Sequence, residues 1–301
     1  MGLSTRKLIV LISFFSLLVL ALSACGVLSW TSAHFATPET NQELFKGVTY
    51  FRQVRLSPRT MVVHVVIVDL KKSGIKTLVT PGKPRVEYPL NARTTSQFLE
   101  EFNVQLAING DGFTPWHSNG LHDYYPHPGD PVAPIGFAAS KGKIYSQNTD
   151  SEPVLYLSPT NQAHFNTAVG KIFNAISGNI MLVEKGKMSP DLKTDLPDEH
   201  NQPQPRTAVG LDKNGKKLTI VIVDGRQPGY SQGATLLELA GILLEFNVHN
   251  GMNLDGGGSS TLVVMDSEGK SKVVNSPVDN HIPGRERAIA NHLGFFAKPK
   301  K

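Results

Sequence analysis

The chain has 301 residues, with 30 basic and 25 acidic side chains, a formal charge of +5 and 40% hydrophobic residues. That balance suits a folded core rather than a disordered tail, and no Lys/Arg cluster interleaves with aromatics as nucleic-acid binding requires. Cys25 is the single cysteine, which excludes intrachain disulfides and Cys-based metal sites.

At the N-terminus, Arg6 and Lys7 precede an apolar run from Leu8 to Leu22 and then Ser23-Ala24-Cys25-Gly26. This is the anatomy of a secretory signal, and the run is short for a bilayer span, which needs about 20 apolar residues. Leu22-Ser23-Ala24-Cys25 resembles the lipobox of bacterial lipoproteins, in which the Cys is lipidated and becomes the mature N-terminus. The expectation is a signal peptide over 1–24, a lipidated N-terminus and polar tether over 25–45, and a folded domain over 46–301. Loss of the leader takes two basic residues and no acid, leaving +3. The implied setting is the bacterial cell envelope, with the membrane as a partner through the lipid.

Met61 to Val68 is β-branched and almost wholly apolar, so it reads as a strand buried on both faces. A turn at Lys71–Gly74 and alternation over Ile75–Val79 predict a returning strand. Thr94 and Gln97 have capping-box spacing ahead of Phe98, Leu99 and Phe102, which predicts a helix. Val104–Ile108 reads as a strand ending in Asn109-Gly110-Asp111-Gly112-Phe113. Residues 114–134 are turn-rich, and their Trp116, Tyr124 and Tyr125 offer aromatic faces suited to sugar rings. His117, His122 and His127 lie there too, without zinc-type spacing.

In the second half, Arg206–Gly210 and Leu218–Val223 flank an Asn214-Gly215 tip, a hairpin signal. Thr235 and Glu238 form another capping box before the apolar face of Leu236, Leu239, Ala240, Leu243 and Phe246. Leu262–Val264, a further hairpin and a last strand beyond Arg285-Glu286-Arg287 complete the chain. The fold class expected is α+β, with mixed, mostly antiparallel sheets, a few packed helices and a polar site at strand ends.

Asn253-Leu254-Asp255-Gly256-Gly257-Gly258-Ser259-Ser260-Thr261 is the most informative stretch. Consecutive glycines lose much backbone entropy on folding, so they mark a place where bare backbone is needed. Such backbone lets amides approach an anion, while the acid and hydroxyls supply further polar groups.

Together with this stretch, four further segments resemble the phosphodiester glycosidase family, the catalytic domain of the mannose-6-phosphate uncovering enzyme and its bacterial relatives. They are Asn109-Gly110, Pro205-Arg206-Thr207-Ala208, Asp224-Gly225-Arg226-Gln227-Pro228-Gly229-Tyr230, and Glu286-Arg287 with Ala290-Asn291. The resemblance spans roughly 60–297. Two features depart from it: Asp111 interrupts what is usually Asn-Gly-Gly followed by an aromatic, and the cysteines and accessory modules of the animal enzyme are absent. The resemblance implies removal of a sugar from a glycosyl-1-phosphodiester, N-acetylglucosamine-1-phosphodiester being one such substrate.

The departing phosphomonoester has a second pKa of about 6, so it needs little protonation, and an anion clamp with a water-activating group would suffice. The carboxylates available for base or charge stabilisation are Asp255, Asp224 and Glu286. Arg206, Arg226 and Arg287, with the Gly256, Gly257 and Gly258 amides, would hold phosphate. Asn109, Asp111, Ser259, Ser260 and Asn291 complete the substrate-binding set. Asp224, Asn109 and Asp111 also suit turn formation, and Arg285-Glu286-Arg287 also reads as a solvated charge run. No cofactor is expected; a divalent cation held by Asp111, Asp224 or Asp255 is the alternative. The rival functions are a non-catalytic envelope module that binds phosphate-linked glycans, and an assembly protein contacting another envelope component.

Overall fold

The eight-stranded sheet that dominates the computed structural model is built around the apolar runs singled out above. Its order is Thr40–Phe45, Val48–Arg55, Met61–Asp69, Lys217–Val223, Arg206–Leu211, Asn250–Asn253, Ile180–Glu184 and Lys187–Met188. The structure describes residues 40–120, 123–147, 152–168, 170–192 and 201–300. The expected signal peptide and lipidation at Cys25 lie outside them. Thr40–Phe45, expected in the tether, instead form an edge strand antiparallel to Val48–Arg55.

Period-2 geometry sends alternate residues of each central strand to opposite faces. Val63, Val65, Val221 and Val223 join Leu236, Leu239 and Leu243 of the helix Leu236–Glu245, outside the sheet. Val66, Val68, Ile220 and Ile222 share a second core with Leu106, Ile108, Leu293 and Phe295. These last belong to a five-stranded sheet ordered Ser271–Val273, Leu262–Met265, Leu106–Asn109, His292–Phe296, Lys76–Val79. Its far face carries the other helix, Thr95–Phe102, through Phe98 and Leu99. A second five-stranded sheet places Leu155 and Ile176 against the same central core.

Every strand ladder among the described residues is antiparallel, so the fold is more sheet-dominated and less mixed than expected. One expected pairing is redirected. The strand after the Lys71–Gly74 turn, Lys76–Val79, does not fold back onto Met61–Asp69 but pairs with His292–Phe296 in the next sheet. Burial explains this. Both edges of Met61–Asp69 are already taken, by Val48–Arg55 and Lys217–Val223, and Leu78 is needed beneath Phe98.

Both capping boxes form. Thr94 Oγ1 accepts from the Gln97 N–H at 3.2 Å while Gln97 Oε1 accepts from the Thr94 N–H at 2.9 Å. At α1, Leu236–Glu245, Thr235 Oγ1 accepts from the Glu238 N–H at 3.2 Å and Glu238 Oε2 accepts from the Thr235 N–H at 2.8 Å. Thr235→Ala removes one of these bonds at the entry of the helix that covers the large sheet. It should lower unfolding free energy by about 1 kcal/mol, seen as a shift of the denaturant midpoint without a change in slope.

Candidate functional site

Loops at one edge of the sheets enclose a cavity of about 600 Å³. Strand ends deliver its chemistry: Arg206 opens one strand of the central hairpin, Arg226 follows the other, and Asp255 follows Asn250–Asn253. Asp111, Asp255 and Glu152 bring carboxylates, while Arg206, Arg226 and Arg287 bring guanidinium groups.

The tri-glycine turn owes its composition to two arginines. A Cβ at Gly257 would lie 2.9 Å from Arg226 Nη2, and one at Gly258 would lie 2.5 Å from Arg287 Nη2 and 2.7 Å from its Cζ. Gly257 also has φ +58°, which a side chain would strain. The bare backbone therefore seats two guanidinium groups. Of the three amides expected to cradle phosphate, two already have partners. The Gly256 N–H donates to Asp255 Oδ1 at 2.9 Å, and the Gly257 N–H to the Pro205 carbonyl at 2.9 Å.

Each arginine is aimed by a different partner. Arg226 Nε donates to Gln204 Oε1 at 2.7 Å, and Arg287 Nε to Asp279 Oδ1 at 2.8 Å. Arg206 donates to the carbonyls of Ala234 and Gln202, both at 3.1 Å. Burial and the nearby Arg287 pull the Arg226 pKa below its ordinary value, against Asp255 and Asp279. A dianionic or monoanionic ligand would relieve that repulsion.

Asp255 sits within this positive field, yet burial pushes its carboxyl up to about 6, against Ser259, Arg287 and the Gly256 N–H, with Asp111 adding to the rise. Asp111 is pushed up as well by burial, against donors on Ser177, Gly136 and Gly112. Its Oδ2 accepts from Ser177 Oγ at 2.5 Å and the Gly136 N–H at 2.8 Å. Both acids are thus poised for proton exchange nearer neutrality than an exposed carboxylate.

Other residues expected in the site stand behind it. Asn109 is fully buried; its Nδ2 donates to the Asp255 carbonyl at 2.7 Å, and its Oδ1 accepts from Thr207 Oγ1 at 2.8 Å and the Thr261 N–H at 3.2 Å. Asn291, also buried, accepts the Asp111 N–H on Oδ1 at 2.9 Å and the Gly110 N–H on its carbonyl at 3.0 Å. Ser259 and Ser260 are buried at the end of a 3-10 turn, Gly257–Ser259, and do not line the cavity.

Two of the three expected catalytic acids are placed elsewhere. Asp224 is buried beneath the cavity wall, where His64 Nε2 (3.0 Å), Tyr230 Oη (2.9 Å), Asn275 Nδ2 (3.0 Å) and the Ser276 N–H (2.9 Å) occupy its carboxylate. Burial pushes it up, but His64 and these donors outweigh burial and hold it below the usual carboxylate range. Glu286 instead accepts the Ser96 N–H at 3.0 Å, at the second residue of the Thr95–Phe102 helix. There a carboxylate meets otherwise unsatisfied amides and the positive end of the helix dipole. The three acids proposed for a cation are therefore split, and among the described residues no three His, Cys, Asp or Glu side chains converge as a metal site.

Trp116 and Tyr124 do line the cavity, stacked 5.5 Å apart on the hairpin of His117–Gly120 and Asp123–Tyr125, with Trp116 5.4 Å from the Arg287 guanidinium. Tyr125 turns away and donates to the Pro131 carbonyl. Asn253, which opens the tri-glycine stretch, lines the cavity, as do Glu152, Asn179, Gln204, Asn280 and His281, none of which the sequence singled out. Gln204 adjoins the Pro205-Arg206-Thr207-Ala208 motif; the rest lie in irregular segments with no local signal.

The architecture resembles solved structures. A hypothetical protein from Synechocystis aligns with a TM-score of 0.64 at 14% identity, covering 87% of this chain and 64% of that one. The catalytic domain of zebrafish N-acetylglucosamine-1-phosphodiester α-N-acetylglucosaminidase, auto-inhibited by its pro-peptide, aligns at 0.58 and 23% identity over 90% of this chain and 91% of that one. The bovine enzyme of the same name is 48% identical over 59 residues, which are 20% of this chain but only 11% of the bovine one. The phosphodiester glycosidase family matches residues 102–296, and the chain belongs to that family.

Proposed function

We propose that the chain hydrolyses glycosyl-1-phosphodiesters, releasing the sugar and leaving a phosphomonoester. The observation that carries this reading is the convergence of Arg206, Arg226, Arg287 and a pKa-raised Asp255 in one cavity. Family membership and the names of the bovine and zebrafish relatives support the same chemistry. N-acetylglucosamine is the sugar those names make the first to test.

In this reading the guanidinium groups hold the diester phosphate, and the Asp255 carboxylate takes one proton from water as its oxygen bonds to the anomeric carbon. The bond from that carbon to the phosphate oxygen breaks, and its electron pair leaves with the phosphate. The product's second pKa of about 6 lets it depart without a dedicated acid. Asp111, on the segment hydrogen-bonded to Asp255, stabilises positive charge growing on the sugar. Asp224 and Glu286, which do not line the cavity, take structural parts instead. We also propose export and anchoring through Cys25, on the strength of the N-terminal sequence.

Methyl diesters of N-acetylglucosamine, glucose, galactose and mannose 1-phosphates, incubated with the soluble domain and read by chromatography for free sugar, test the reaction. Binding without release across the panel would favour the glycan-binding module. Asp255→Asn should reduce kcat by about 100-fold or more, the scale of a lost general base. Because the base must be ionised, kcat/KM of the unmodified protein should fall with decreasing pH through about 6, and the residual activity of the variant should lack that limb.

Stability should move the other way. The Asp255 carboxyl has a folded pKa above its unfolded value, so holding it ionised costs stability fully above about pH 6 and nothing below its unfolded value of 3.8. Asp255→Asn should therefore raise the unfolding free energy at pH 7.5 by roughly 1–3 kcal/mol and lose that advantage by pH 4. A variant destabilised at both pH values would contradict the burial argument.

Gly258→Ala probes the clamp, since the added carbon displaces the Arg287 guanidinium rather than backbone. KM for the methyl diester should rise by about tenfold with a stability loss of no more than about 1 kcal/mol. An unchanged KM would remove Arg287 from the clamp.

A further inference from the structure

A second cavity, of about 370 Å³, adjoins the first, and the two share Glu152 and Asn179 as lining residues. Tyr156, Asn166, Glu184 and Asp191 also line the second. The shared residues belong to the acid end of the first cavity. A Cβ at Gly136 would collide with both Glu152 Oε2 and Ser177 Oγ, and the Gly136 N–H and Ser177 Oγ are donors to Asp111 Oδ2. Asn179 Oδ1 accepts at 2.8 Å from Nδ2 of Asn253, on the strand that leads to Asp255. Asn253 is 2% exposed, and its Nδ2 is engaged by Asn179 and the Leu254 carbonyl, while its Oδ1 has no hydrogen-bond partner among the described residues. A buried acceptor in the lining of a cavity calls for a donor, and a sugar hydroxyl is one.

The second cavity differs in chemistry from the clamp. Arg206, Arg226 and Arg287 line the first cavity, and no Lys or Arg among the described residues lines the second. Its carboxylates on Glu152, Glu184 and Asp191 are spread around it, since no three such side chains among the described residues converge as a metal site. Carboxylates and amides so placed accept from hydroxyls. Tyr156, half-buried with its ring 5.7 Å from that of Phe137, adds an aromatic surface of the kind that packs on the C–H faces of a sugar. A phosphate at Arg226 and Arg287, with its anomeric carbon at Asp255, leaves the distal hydroxyls of the sugar towards Glu152 and Asn179. We infer that the second cavity holds a further sugar residue, glycosidically joined to one of those hydroxyls. The substrates are then phosphodiesters of di- or oligosaccharide 1-phosphates, and the negative lining restricts the second residue to neutral or amino sugars. The inference rests on the hydrolytic reading above and adds to it the length and charge class of the sugar released.

The test takes the monosaccharide whose methyl diester is cleaved best in the panel above and extends it by a residue of the same sugar, through each free distal hydroxyl in turn. At least one disaccharide 1-phosphate methyl diester should show kcat/KM about tenfold or more above that of the monosaccharide diester, the scale of an added hydrogen bond or two. The same compound with its outer residue oxidised to the uronic acid should lose about tenfold. Asp191→Lys, alone and with Glu184→Lys, should remove that loss while monosaccharide turnover stays within about twofold. Asp191 is exposed and its replacement leaves the Glu184–Ser189 hydrogen bond in place, so the single variant should fold, which circular dichroism checks.

If the unmodified protein cleaves the disaccharide diesters no faster than the monosaccharide diester, the second-sugar inference falls and the hydrolytic reading stands. A gain from the second residue without discrimination against the uronic acid would place that residue outside the acidic cavity and overturn the assignment. Discrimination that survives in both lysine variants would overturn it equally. If no diester is cleaved, both readings fall together.

Discussion

The position of Asp255 depends on one buried amide. Asn109 uses its Nδ2 on the Asp255 carbonyl and its Oδ1 on Thr207 and Thr261, so one side chain ties a strand end of the inner sheet to the hairpin of the large sheet and to both ends of the glycine loop. An unmet hydrogen-bonding group there would cost about 1–3 kcal/mol, and no water reaches the side chain to take a partner's place. The loop therefore has little freedom to drift. With the carbonyl held, the Gly256 N–H fixes the carboxylate, and the bare turn beyond it receives the two guanidinium groups.

Asn291 does for Asp111 what Asn109 does for Asp255. Its Oδ1 and carbonyl hold the amides of Asp111 and Gly110, and the approach is so close that a Cβ at Gly110 would lie 2.3 Å from that Oδ1. Asp224 completes the support on the third side. Its carboxylate joins His64 of the large sheet to Tyr230 and to Asn275, and Asn275 in turn holds the Ser260 carbonyl and the Leu262 N–H. Charged groups facing the cavity thus rest on polar groups that do not. Such preorganisation is what lets fixed charges stabilise a charge-separating transition state without rearranging during it.

Local signals carried the elements well. The β-branched apolar run of Met61–Val68, the Asn214-Gly215 tip and both capping boxes name their structures because the determining signals lie within a few residues. The roles of the acids were not readable in the same way. Asp224 and Asp255 both precede glycine after an apolar strand, yet one faces His64, 160 residues away, and the other faces a cavity. Glu286 lies beside Arg287 in sequence, but its partner is a helix amide 190 residues distant. The glycines of the 256–258 turn were correctly read as a demand for bare backbone. What the sequence could not supply was the identity of the neighbour, a guanidinium rather than a ligand oxygen.

The same separation bears on how specificity can vary. The supports, Asn109, Asn291 and Asp224, are at most 1% exposed and belong to strand ends inside the sheets. Substitutions at Trp116 or Tyr124 alter the cavity lining without touching Asn109, Asn291 or Asp224, whereas Ile282 pairs with Asp279, the acid that aims Arg287. Changes at Asn109 or Asp224, by contrast, act on the clamp whatever the substrate, because a buried partner is left unmatched. The fold thus places its buried hydrogen-bond requirements behind the cavity and half-exposed Trp116 at its lining, where a substitution leaves no buried partner unmatched.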